Sequence, residues 1–201
     1  MTIINNFEFS RKEVNMYAWI DNIFTDDELT DLIIYGNKLN FDNGKVGSKE
    51  DGRVDEQYRD SKVKFIYLDQ NASWIFNKLN NAIDYANNTF FQFDLIGYDY
   101  FQYTQYNKDQ YYKAHVDMHF GMTDNVTYNA FSRKLSLSLL LNDNFEGGDL
   151  VLYQDTENPF TLEKKKGRCY FFPSFLMHQV TTVTSGVRNS LVVWVMGPRW
   201  K

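Results

Sequence analysis

Leu135-Ser136-Leu137-Ser138-Leu139 alternates an apolar with a small polar side chain at every step. That period of two is the signature of a β-strand with one leucine face and one serine face. Upstream, Phe93, Leu95, Tyr98 and Tyr100 alternate with polar residues, which predicts strand structure between Phe91 and Tyr106. Downstream, Asp149–Tyr153, Cys169–Phe172, Gln179–Val183 and Ser190–Met196 read as short strands. They are separated by the turn signals Glu146-Gly147-Gly148, Lys166-Gly167, Pro173-Ser174 and Ser185-Gly186. Short strands at regular spacing predict a sandwich or barrel over residues 91–198.

Residues 1–90 read differently, as helical support for that core. Thr25-Asp26-Asp27-Glu28 is a capping-box pattern, and Leu29, Leu32, Ile33 and Leu39 follow at helical spacing, so a helix is expected at 26–39 with Gly36 weakening its last turn. Trp74, Ile75, Leu79, Ile83 and Ala86 predict a second helix over 73–87. Between the helices, Phe41–Ser61 is polar and holds Gly44, Gly47 and Gly52, which predicts a long surface loop and a candidate lid.

The 201 residues suit one domain, and 43% hydrophobic with 17% aromatic content excludes a disordered chain. One cysteine, Cys169, excludes an internal disulfide and any zinc site built from several thiolates. The N-terminal residues show no basic start, apolar run or small-residue cleavage pattern, and no apolar run reaches the roughly 18 residues of a membrane span. A soluble, cytoplasmic protein is expected. The net charge of -5 argues against a nucleic-acid partner. Residues 1–100 carry 10 Lys+Arg against 17 Asp+Glu and residues 101–201 carry 11 against 9, which leaves room for a local cationic site in the second half. Nothing in the composition fixes an oligomeric state.

Only three histidines occur, His115, His119 and His178. In Tyr111-Tyr112-Lys113-Ala114-His115-Val116-Asp117, positions i and i+2 of a strand share a face, so His115 and Asp117 can offer an imidazole and a carboxylate to one metal. An H-x-D pair alone is weak evidence, the alternative being an exposed strand end. Phe172-Pro173-Ser174-Phe175-Leu176-Met177-His178 adds a third ligand after a Pro-Ser turn. Two imidazoles and a carboxylate leave open positions for a bidentate co-substrate and O2, an arrangement that suits Fe(II), with Mn(II), Co(II) and Zn(II) also compatible. Arg188 opens the apolar strand Ser190–Met196, where a guanidinium must meet either a bound dicarboxylate or a structural Asp or Glu.

His115-x-Asp117, His178 and Arg188, in the order F-P-x(4)-H-x-V then G-x-R, resemble the 2-oxoglutarate/Fe(II)-dependent dioxygenases, in particular the prolyl 4-hydroxylase-like branch with its PKHD-type hydroxylases. Tyr106-Asn107-Lys108-Asp109-Gln110-Tyr111-Tyr112-Lys113-Ala114-His115 resembles the family's Y-G-x-G-x-x-Y-x-x-H approach to iron, although Asn107 and Asp109 stand where glycines are usual. Leu135–Asn142 with Phe145-Glu146-Gly147-Gly148-Asp149-Leu150 resembles its strand, Asn turn and E-G-G-x-L segment. The resemblance implies a mainly β domain with N-terminal helices, a distorted double-stranded β-helix of the jelly-roll, cupin-like kind.

It also implies that His115, Asp117 and His178 hold Fe(II), the iron being the catalytic centre, and that Arg188 and Tyr106 bind 2-oxoglutarate. O2 is the second co-substrate and ascorbate a candidate reductant. The implied reaction turns 2-oxoglutarate into succinate and CO2 while hydroxylating a substrate carbon, with a peptidyl proline or other protein side chain favoured. Two alternatives stand beside it: an oxygenase of a free amino acid, small metabolite or nucleobase, and a non-enzymatic cupin-like metal-binding or sensing module. Tyr112, Tyr103, Trp194 and His119 are the substrate-pocket candidates, against a competing role in the core or rim. Lys164-Lys165-Lys166 reads as a solvated turn before Gly167.

Overall fold

The computed structural model describes residues 15–46, 53–98, 100–118, 131–155 and 157–198. In chain order these form β1 (Ala18–Ile20), α1 (Asp26–Lys38), β2 (Asp42–Asn43), β3 (Arg59–Asp60), β4 (Lys62–Ile66) and α2 (Ser73–Ala86). The second half supplies β5 (Phe101–Tyr106), β6 (Tyr111–His115), β7 (Phe131–Leu140), β8 (Phe145–Gly147) and β9 (Leu150–Tyr153). It continues with β10 (Pro159–Thr161), β11 (Cys169–Pro173), β12 (His178–Val180), β13 (Val183–Gly186) and β14 (Arg188–Pro198).

A seven-stranded sheet in the order β1-β11-β7-β14-β5-β4-β2 packs against a five-stranded sheet in the order β10-β9-β12-β6-β3. With the short β8–β13 ribbon they make the expected double-stranded β-helix. Its strand alternation divides two cores. Leu135, Leu137 and Leu139 of β7, Leu191, Val193 and Val195 of β14 and Phe101 of β5 face the helices. Tyr106, Leu152, Phe172 and Val180 pack between the sheets. Ser136 and Ser138 lie on the second face and are buried as well, so the serine face lines the barrel interior instead of meeting solvent.

Both helices form close to the expected positions. Thr25 and Glu28 exchange the two hydrogen bonds of a capping box, and α1 buries Leu29 and Leu32. Gly36 does not end α1. A Cβ there would lie 2.6 Å from the Tyr103 ring, so the glycine lets the helix approach the sheet. The α2 face of Ile75, Phe76, Leu79 and Ile83 packs on the same sheet, and a π-helical turn at Asn87–Phe91 extends the helix.

Two expectations need correction. Phe93 to Tyr98 do not form a strand, and only an isolated bridge joins Gly97 to Met196. Gln92 adopts a left-handed φ of 55°, and the Asn87 side chain bonds both the N–H and the carbonyl of Phe93, so the backbone groups of Phe93 are taken by a side chain instead of a neighbouring strand. The 41–61 segment is not a structureless loop, since β2 and β3 within it each extend an edge of one sheet and Val46 pairs with Arg53. Residues 47–52 of that segment lie outside the described residues.

Candidate active site

His115 ends β6 and His178 opens β12, and the two residues are direct cross-strand partners. Their Nδ1 atoms lie 2.8 and 2.9 Å from the carbonyl oxygens of Lys113 and Leu176. A ring nitrogen facing a carbonyl must carry the proton, which leaves each Nε2 with a lone pair directed to the cluster. Asp117 stands beside them, with its oxygens 3.7 Å from His115 Nε2 and 3.5 Å from His178 Nε2. The ligand atoms of the three residues all lie within 4.8 Å of one another, a donor set that fits one divalent metal.

Asp117 reaches this place by a different route from the one its spacing suggests. It lies past the end of β6, in a bend fixed by hydrogen bonds from the N–H groups of Asp117 and Met118 to the Ser174 carbonyl. The Pro173-Ser174 turn that precedes His178 therefore also holds Asp117. Ser136 Oγ donates to Asp117 Oδ2 at 2.7 Å and lies 2.9 Å from Ser174 Oγ. Burial favours the neutral acid, but the imidazoles of His178 and His115, the Arg133 guanidinium and the Ser136 hydroxyl outweigh it, holding the Asp117 carboxyl down at about 2. Burial, reinforced by His178, pushes the His115 imidazole down to about 3. An ionised carboxylate beside a neutral imidazole is the protonation state a metal requires.

Arg188 enters from β14 opposite Tyr106 of β5. Its guanidinium is buried, bonds Ser190 Oγ at 2.7 Å and lies 5.5 Å from the Tyr106 ring centre. Among the described residues no carboxylate pairs with it, and its Nε has no hydrogen-bond partner. Asp149, in a neighbouring cavity it shares with Arg188, is paired with Lys164 at 3.0 Å. The structural ion pair that could have explained Arg188 is thus not formed. Gly148 of the E-G-G turn, at φ 60°, passes so close that a Cβ would sit 3.1 Å from Arg188 Cδ. One inner cavity is lined by His115, Asp117, His178, Tyr106 and Arg188 together.

Outside it opens a cleft of about 620 Å3, within the range of small-molecule sites. Tyr112 and Trp194 line both spaces. Tyr112 stacks on His115 with 3.5 Å between ring centres. Three residues apart, they share a face because the β6–β12 register shifts at a bulge between the His178 and Val180 pairs. The Trp194 Nε1 is buried without a partner, and Arg133 lies 4.0 Å over its ring. Tyr103 does not reach the cleft. It is fully buried on the helix face of β5 and donates its hydroxyl hydrogen bond to Asn189 at 2.9 Å. His119 lies outside the described residues.

Several residues at the site carried no signal strong enough to be read from sequence. Ser136 was visible only as one half of an alternation, and Ser174 as a turn residue. Arg59 and Arg133 sat in polar surroundings without a motif. In the approach loop, Asp109 takes φ 70°, the left-handed geometry that explains why the related motif carries glycine there. Arg168 is structural, bonding Asp21 through Nε and Nη2 and Glu163 through Nη1. Lys164, Lys165 and Lys166 are not a freely solvated run, since they pair with Asp149, Asp21 and Asp26 respectively.

A profile of the 2OG-Fe(II) oxygenase superfamily matches residues 101–196, the segment holding all of these cluster residues. The matched segment makes up just under half of the chain, and over it the chain is similar to the 2OG-Fe(II) oxygenases. A PKHD-type hydroxylase of Alteromonas mediterranea is 29% identical to this chain over 188 residues, covering 88% of this chain and 76% of that protein. A PKHD-type hydroxylase of Psychrobacter sp. is 35% identical over 95 residues, covering 46% of this chain. The chain spans only 36% of that Psychrobacter relative in the match.

Among solved structures, a prolyl hydroxylase from Trichoplax adhaerens in complex with a hypoxia inducible factor peptide fragment superposes with a TM-score of 0.70 at 19% identity. That match covers 90% of this chain and 83% of the other. A viral collagen prolyl hydroxylase from Paramecium Bursaria Chlorella virus-1 gives 0.67 at 19% identity, covering 91% and 97%. At that identity the likeness is one of fold, and the fold of this chain is prolyl hydroxylase-like. No helix among the described residues is long and apolar enough to cross a membrane.

Proposed function

We propose that this chain is a 2-oxoglutarate- and Fe(II)-dependent hydroxylase of a protein or peptide side chain, with peptidyl proline favoured and succinate and CO2 released. The observation that carries the reading is the coincidence, in one inner cavity, of a His-Asp-His donor set and a buried guanidinium without a carboxylate partner. A chelating dicarboxylate answers both needs, since its keto-acid end suits the open metal positions and its distal carboxylate suits Arg188. His115, Asp117 and His178 would hold the iron, and Arg188 with Tyr106 would hold the far end of 2-oxoglutarate. Once bound with O2, that iron and co-substrate supply the oxidising chemistry.

The chain's own part is positioning and shelter. The two Nδ1–carbonyl bonds fix the imidazole planes, and Ser136 fixes the carboxylate. Leu150, Phe172 and Val180 wall the inner cavity with apolar surface that keeps water from the reacting centre. Tyr112 and Trp194 border the opening through which a side chain must pass. The solved Trichoplax prolyl hydroxylase holds a peptide, which supports a polypeptide substrate here.

The test is anaerobic titration of Fe(II) and then 2-oxoglutarate, followed by O2-dependent succinate release against proline-containing peptides and free amino acids. His178→Ala should lose the metal, whereas Arg188→Met should keep the metal and lose most 2-oxoglutarate affinity. Iron-dependent turnover retained in His178→Ala would refute the ligand assignment. Bound 2-oxoglutarate that yields no succinate with any substrate would favour a sensing module instead.

A further inference from the structure

Arg59 is the second buried guanidinium of the chain that meets no carboxylate among the described residues. It lies on β3, where it is 6% exposed, and its hydrogen bonds go to two neutral oxygens. Nε donates to Ser61 Oγ at 2.8 Å and Nη1 to the Lys45 carbonyl at 3.1 Å. Its guanidinium carbon lies over the Tyr112 ring, 4.5 Å from the centre, and that ring in turn stacks on His115, 3.5 Å between centres. Gly44 makes room for it, since a Cβ there would lie 2.6 Å from Arg59 Nε. Four independent features therefore hold this cation in one place, and none of them neutralises it.

Its location decides what it could meet. Arg59 lines both the outer cleft and the inner cavity, so it stands at the neck between them. Arg133, on the same cleft, is also without a carboxylate side chain within bonding distance among the described residues, and it donates a hydrogen bond to the backbone oxygen of Asp117 at 3.4 Å. Asp42 is a carboxylate on the outer wall, exposed and paired with neither arginine. A positioned, desolvated guanidinium beside a substrate path is an unfilled carboxylate receptor.

Resting on the hydroxylase reading above, we infer that Arg59 is a specificity-determining residue, and that the substrate is a polypeptide with an Asp or Glu close to the hydroxylated residue. With the guanidinium 4.5 Å and the His115 ring 3.5 Å from the Tyr112 ring centre, Arg59 lies no more than about 8 Å from the His115 ring. Two extended residues span about 7 Å, so the acid belongs one or two positions from the target.

The experiment uses the full chain loaded anaerobically with Fe(II) and 2-oxoglutarate. Fluorescent alanine-rich peptides carrying one central proline, with Glu one or two residues before or after it, are compared by anisotropy with matched Gln peptides. At least one Glu position should bind about 10-fold tighter than its Gln counterpart, the size of one charge-assisted hydrogen-bonded pair. Arg59→Gln should abolish that preference, Arg59→Lys should restore part of it, and Arg59→Glu should transfer it to Lys peptides. Circular dichroism checks that each variant is folded. Equal binding of Glu and Gln peptides, or a preference unchanged in Arg59→Gln, overturns the inference.

Free proline and prolinamide, used as competitors, separate the two sources of a carboxylate. A carboxylate preference confined to the free amino acid overturns the polypeptide assignment. Glu-selective binding without succinate from any peptide would refute the hydroxylase reading and leave the role of Arg59 standing.

Discussion

Ser136→Ala isolates the hydrogen bond that orients the carboxylate of the proposed metal site. Ser136 is fully buried, and its hydroxyl has one proton to give. The 2.7 Å contact to the charged Asp117 Oδ2 claims that proton, so Ser174 must be the donor in the 2.9 Å contact between the two serines. Removing Ser136 loses a hydrogen bond to a charged group, worth about 1.5–3 kcal/mol. Loss of the partner that orients a ligand lowers metal affinity by about 10- to 100-fold, or about 1.4–2.8 kcal/mol. The two ranges agree, so the expected outcome is a 10- to 100-fold weaker dissociation constant in anaerobic titration with Mn(II) or Co(II).

Ser174→Ala provides the comparison. It removes the hydroxyl behind Ser136 but leaves the Ser136–Asp117 bond and the Ser174 carbonyl that anchors residues 117 and 118. Its metal affinity should stay close to wild type. Affinity within threefold of wild type in Ser136→Ala, or equal weakening in the two variants, would refute the proposed division of labour.

Two further predictions concern stability. Gly36→Ala should destabilise the fold by about 1–2 kcal/mol even though alanine is the better helix former by about 1 kcal/mol, because its Cβ overlaps a Tyr103 ring anchored through Asn189; a raised urea midpoint would contradict it. Asp21→Asn should lower stability at pH 7 by about 1 kcal/mol. Hydrogen bonding from Arg168, with help from Lys165, holds the Asp21 carboxyl well below the usual range. A depressed carboxyl stabilises the fold above its unfolded pKa of about 3.9 and loses that contribution as pH falls through the folded value. The gap between wild type and Asp21→Asn should therefore narrow below about pH 4, and a gap independent of pH between 7 and 2 would rule the pair out.

Local pattern decided what could be read from sequence. Leu135–Leu139 announces a strand because its leucines meet the helices, and Thr25 with Glu28 announces a helix because both capping bonds are local. The strand Lys62–Ile66 carried no such signal, since Lys64 points into the helix-side core. There it is 1% exposed, bonds the Gly36 carbonyl and lies 3.3 Å over the Phe41 ring. The histidines and Arg188 were legible through spacing, but their supporting residues were not. Arg59, Arg133 and Ser136 acquire meaning only when the two sheets bring β3, β7 and β12 around one cavity, and no short-range pattern encodes that meeting.

Charge balance then links metal and co-substrate. The described inner cavity is lined by one negative side chain, Asp117, and by two guanidiniums, Arg188 at its far end and Arg59 at its neck, with His115 neutral. A divalent cation added alone would leave a buried excess of positive charge, and a dicarboxylate added alone would leave an excess of negative charge. Together they cancel, and burying an uncompensated charge costs several kcal/mol. The two should therefore bind with positive coupling, and linkage requires each to strengthen the other by the same factor. Calorimetry of 2-oxoglutarate with and without Mn(II), and of Mn(II) with and without 2-oxoglutarate, should give equal enhancements of about 10-fold or more, corresponding to about 1.4 kcal/mol. An affinity for 2-oxoglutarate that is the same with and without metal would mean that Arg188 alone compensates the dicarboxylate, and the shared cavity would no longer be needed to explain why that arginine is buried without a partner.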